Sequence, residues 1–97
     1  TATMKSVMDP ERTKKGRMQD IRAMRNYHVH FMVPELLDYM RRSGDPEVQQ
    51  AMLEAFGWFT LSARRDEIAR TAFDMSRDES LAPAVRSEAL KTYNRLK

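Results

Sequence analysis

The chain has 97 residues, 41% of them hydrophobic and 32% charged, with three Gly, four Pro and no Cys, which describes one helix-rich globular domain and not a disordered chain. The absence of Cys excludes disulfides and thiolate metal sites, no apolar run approaches the ~20 residues of a membrane span, and the first 25 residues lack the apolar stretch of a signal peptide. The net charge of +3 is unevenly placed: residues 1–26 hold seven Lys/Arg against three Asp/Glu, and the rest hold ten against eleven.

Residues 1–8 carry neither caps nor a clear period and read as a loose lead-in. Asp9 is a good N-cap, and Pro10 stands at a first helical position, where its missing N–H costs nothing. A first helix is therefore expected from there to about Asn26. Its apolar residues Met18, Ile21 and Met24, continued by Tyr27 or His28, fall three or four apart on one stripe. The stretch from Glu11 to Arg17 has nothing to bury and should project into solvent. A second helix is expected to start at about His30 and run to Arg42, since Pro34 is tolerated only in a first turn. Val33, Leu36, Leu37 and Met40 form its buried stripe, with Phe31 near its start. Ser43-Gly44 should end it, with Gly44 in the left-handed conformation that often follows a last turn.

Asp45 caps the third and clearest helix, again with Pro46 in first place. Val48, Met52, Ala55, Phe56 and Phe59 share a face about 100° wide at 3.6 residues per turn. Gln49, Gln50 and Glu54 lie opposite, with Leu53 and Trp58 at the two edges. So short a link between the second and third helices requires an antiparallel hairpin. Thr60-Leu61-Ser62 reads as a turn, with Ser62 capping a fourth helix of about Ala63 to Arg77 that buries Ile68, Ala72 and Met75, Phe73 flanking. The fifth helix starts at Pro83 and runs to the end of the chain, burying Val85, Ala89, Tyr93 and Leu96. No four-residue stretch alternates cleanly between turn signals, so no strand is expected.

The helix starts repeat. Asp9-Pro10-Glu11 precedes Asp45-Pro46-Glu47 by 36 residues, and Ala82-Pro83-Ala84-Val85 follows by 37. Val48, Met52 and Phe56 superpose on Val85, Ala89 and Tyr93 at a shift of 37, and Val33, Leu37 and Met40 on Ile68, Ala72 and Met75 at a shift of 35. A two-helix unit thus appears twice, at 28–60 and 62–97, with residues 9–27 as a half unit or cap.

On these residues the chain resembles the HEAT-type helical repeat family over about 28–97. The resemblance is carried by Val33-Pro34-Glu35-Leu36-Leu37, the turn at Asp45, Val48-Gln49-Gln50-Ala51-Met52-Leu53-Glu54-Ala55-Phe56-Gly57, and Val85-Arg86-Ser87-Glu88-Ala89-Leu90. Gln49 and Ala82 depart from the family's usual Arg and turn Asp. The resemblance implies an all-α, right-handed stack of antiparallel helical hairpins, an α-α superhelix of about five helices. It also implies a non-catalytic scaffold that holds a protein partner on the second helix of each hairpin. The residues that should line such a face are Gln49, Gln50, Leu53, Gly57 and Trp58 in the first unit, with Arg86, Leu90 and Asn94 in the second. Two and a half units are fewer than the about three a stack needs, so further repeats in a longer parent protein, an unusual cap from 1–27, or self-association are expected.

Other chemistry is sparse. His28-Val29-His30 has a metal-like spacing only on a strand; on a helix the two rings point about 200° apart, and no third ligand completes a site. The carboxylate pairs Asp66-Glu67 and Asp78-Glu79 stand beside helix ends, where acids are ordinary. No phosphate loop or nucleophile motif is present, so neither catalysis nor a cofactor is expected. Lys14, Lys15, Arg17, Arg22 and Arg25 offer a rival reading, an anion or nucleic-acid site on the first helix, although Glu11 and Asp20 interrupt it. Of eight Met, five (Met18, Met24, Met40, Met52 and Met75) fall on core stripes and read as packing. The compartment stays open, since a reducing cytosol and export without disulfides leave the same composition.

Overall fold

Helices form where an apolar stripe has something to cover, and they start where a side chain or a proline relieves the first N–H groups. The computed structural model describes residues 11–23 and 32–97, and within them the protein is all-helical. Its helices are α1 (Lys14–Ala23), α2 (Val33–Arg42), α3 (Pro46–Phe56), α4 (Arg65–Ser76) and α5 (Pro83–Leu96). Asp9, Pro10, Met24, Arg25, Asn26, Tyr27, His28, His30 and Phe31 lie outside the described residues.

Two starts fall where expected. Asp45 accepts the N–H of Glu47 at 3.0 Å, with Pro46 opening α3, and Pro83 opens α5. Two do not. The first helix begins at Lys14, not near Pro10: the Thr13 hydroxyl accepts the N–H of Gly16 at 3.1 Å, and the Thr13 carbonyl accepts that of Arg17 at 2.9 Å. Ahead of this cap the chain turns back, and Arg12 Nε reaches Asp20 Oδ2 at 2.8 Å. Gly16 makes room for that crossing, since a Cβ there would stand 3.0 Å from Arg12 Cζ. Similarly, Ser62 accepts the N–H of Arg64 at 3.0 Å in a tight turn and does not cap a helix; α4 begins later, at Arg65.

The helix ends also differ from expectation. Gly44 does not take a left-handed conformation. The chain leaves α2 at Ser43 in extended geometry, φ −63° and ψ 132°. Gln49 reinforces this end: its Nε2 donates to Ser43 O at 2.9 Å and to Met40 O at 3.2 Å, the latter also accepting the N–H of Ser43. The third helix stops at Phe56, with Gly57 and Trp58 in a turn, yet Phe59 stays buried.

The core gathers Ile21 from α1, Leu36 and Met40 from α2, Met52 and Phe56 from α3, Ile68 from α4 and Leu96 from α5, each at most 1% exposed. In this body of 31 × 28 × 17 Å, α1 lies on α3 and α3 on α5, while α2 touches α4 and the short connections join α2 to α3 and α4 to α5. A thickness of 17 Å accommodates two layers of helices. The consequence for function is that α3 is covered by α1, α2 and α5, and only a narrow strip of it faces out.

Candidate partner-binding groove

The open strip of α3 consists of Glu47, Gln50, Ala51 and Glu54, spaced i, i+3, i+4, i+7 and therefore on one line along the helix. Met18 and Arg22 of α1 stand on one side of it and Glu88 of α5 on the other. Together these residues line an open groove of about 310 Å³. A second hollow of about 390 Å³ continues it past Lys14, Lys15 and Gln19, sharing Met18, Arg22 and Glu47. Its apolar lining is Met18, 9% exposed, and the half-buried Ala51, an adaptable thioether and a small methyl.

Lys14 closes one end. Its ammonium lies 3.0 Å from Asp45 Oδ2 and 3.5 Å from Glu47 Oε2, joining the start of α1 to the start of α3. The hydrogen bond from Lys14 holds the Asp45 carboxyl below its ordinary value, helped by the N–H of Glu47, and the same bond raises the Lys14 ammonium above its own.

The residues expected to form a partner face separate into two groups. Gln50 is half-buried in the groove, whereas Leu90 is 49% exposed, Asn94 is exposed and Trp58 is 54% exposed. Gln49, Leu53 and Gly57, by contrast, do not face solvent. Gln49 is turned inward to cap α2, Leu53 is 1% exposed beneath α5, and Gly57 is buried against Arg95. For Leu53 and Gly57 the reason is a neighbour: α5 lies over this side of α3, and its Thr92 hydroxyl donates to Leu53 O at 2.6 Å. Arg86, equivalent to Gln49 in the repeat, is half-buried and helps, with Arg41 and behind the hydroxyl and N–H of Ser80, to hold the Asp78 carboxyl below its ordinary value. Arg95 lies over the Trp58 ring at 5.6 Å, so that ring is partly engaged within the fold.

The basic set is likewise dispersed. Lys14 is held by Asp45 and Glu47, Arg17 Nη1 donates to Tyr39 Oη at 2.9 Å, and Arg25 lies outside the described residues. Lys14, Lys15 and Arg22 are all exposed beside the groove, and of these Lys15 and Arg22 stand outside every ion pair among the described residues. Among the described residues no group of three His, Cys, Asp or Glu is placed to hold a metal ion, and no helix is long and apolar enough to cross a membrane. Sequence reasoning missed Glu47, Ala51, Glu54 and Glu88 as groove residues. The signal was present in the i, i+3, i+4, i+7 line of α3, but it becomes legible only once the other sides of that helix are known to be covered. Comparison with known proteins finds no matching family model, no matching curated protein and no matching solved structure.

Proposed function

We propose that the chain is a HEAT-like helical module without catalytic activity that holds a segment of another protein in the groove between α1, α3 and α5. One observation carries this reading. Three helices converge on one open hollow, in which Met18 and Ala51 are the apolar lining among charged and polar groups, while other sides of α3 are packed against described helices. A concave surface with an apolar base and a polar rim is the usual anatomy of a protein-binding site. The anion or nucleic-acid alternative has less support, because Lys14 and Arg17 already have partners within the fold.

Selection of a displayed peptide library against the protein tests the proposal, with binders mapped by the methyl signals of Met18 and Ala51. Binders that shift these signals and lose affinity on Ala51→Arg are expected. Binders that shift only signals elsewhere would overturn it. Binding of duplex DNA that falls steeply with salt and is abolished by Lys15→Glu with Arg22→Glu would replace it with the rival reading.

A further inference from the structure

The two walls of the groove carry opposite charge. On the side of α3 and α5, Glu54 and Glu88 are half-buried, and neither makes an ion pair or side-chain hydrogen bond among the described residues. On the side of α1, Lys15 and Arg22 are exposed and stand outside every ion pair among the described residues. Walls in contact would neutralise each other, as Lys14 does with Asp45 at 3.0 Å. Here no such pair forms: Arg22, Glu54 and Glu88 line one hollow together with Met18 and Ala51, and Lys15 lines the hollow that continues it. Half-buried carboxylates give up part of their hydration, and among the described residues no cation is paired with these two in return.

We propose, building on the binding role above, that the groove takes a segment of another protein with an apolar row and two edges of opposite charge. The apolar row sits on Met18 and Ala51, Lys or Arg side chains face Glu54 and Glu88, and Asp or Glu side chains face Lys15 and Arg22. Such complementarity selects orientation more than it raises affinity. Turned end for end, the same segment would bring like charges together, so the walls dictate its direction.

The test uses two synthetic helical peptides of identical composition. One has a Leu row between a Lys edge and a Glu edge; in the other the same charges are mixed on both edges. Exposed ion pairs are each worth up to about fivefold in Kd, so the edged peptide should bind about tenfold tighter or better, shifting the Met18 and Ala51 methyl signals. Glu54→Lys with Glu88→Lys should remove that preference, and a peptide whose Lys edge is replaced by Glu should recover binding to this variant. Glu54→Gln with Glu88→Gln provides the milder version, in which the salt dependence of binding should flatten. Equal binding of the two peptides, failure of the charge-swapped peptide to recover, or no methyl shift at millimolar peptide would each overturn the proposal. Library binders that occupy the groove without charged edges would overturn it too, while leaving the binding role intact.

Discussion

The Thr92 hydroxyl donates to the Leu53 carbonyl at 2.6 Å within a buried contact between α5 and α3, and the same carbonyl also accepts the N–H of Gly57 at 3.1 Å. Thr92→Val keeps the volume and leaves Leu53 O with one partner, so the loss is a single hydrogen bond of about 1 kcal/mol. Urea unfolding of the variant should show a lower midpoint with an unchanged slope, and an unchanged midpoint would show that the bond contributes nothing. That position 92 is buried was legible, because the 37-residue shift pairs Thr92 with Ala55. The 3.6 period points instead to Tyr93, which is half-buried, meets Phe73 at 5.1 Å with the rings tilted by 51°, and has Lys97 Nζ over its ring. A hydroxyl looks polar in sequence and becomes an interior residue only when a carbonyl from another helix is brought to it.

At the scale of the helix, Asp45 both caps its own helix and receives Lys14 from α1, whose Ile21 is buried in the common core. Asp45→Ala should cost about 0.5–2 kcal/mol near neutral pH, chiefly through the cap, since an exposed ion pair adds little. The cost is pH-dependent. The Asp45 carboxyl is lowered from 3.8, so its contribution is complete above that value and is lost as pH falls through the lower folded value. The Lys14 ammonium is raised from 10.5, so its share is complete below that value and is lost as pH rises through the higher folded one. Melting curves of both proteins should therefore differ by a constant amount between these limits and converge on the acid side. A gap that stays constant into strong acid would contradict the assignment. Helix starts were legible where Asp45-Pro46 and Pro83 leave one choice. At the first helix Asp9 and Thr13 compete, and the structure uses Thr13, whose turn lets Arg12 reach Asp20 and Lys14 reach α3.

Across the whole molecule one core joins all five helices, and Phe56, fully buried and edge-on to Phe59 at 5.5 Å, lies within it. Phe56→Ala should cost about 3–5 kcal/mol and lower the denaturation midpoint in a single cooperative transition. A cost under about 1 kcal/mol, against that expectation for a buried aromatic, would mean this face of α3 is not packed as described. The helices and their apolar faces could be read from residue order, since an apolar period of 3.6 specifies which side of a helix must be covered. Val48 and Val85, matched by that pattern, are 2% and 0% exposed. Which of the remaining sides stays open is a property of neighbours. Leu53 and Leu90 are matched by the 37-residue shift in sequence, yet they are 1% and 49% exposed, because α5 lies over the first and no described helix lies over the second. Packing therefore placed the groove along Glu47, Gln50, Ala51 and Glu54, a strip of α3 that no other described helix covers.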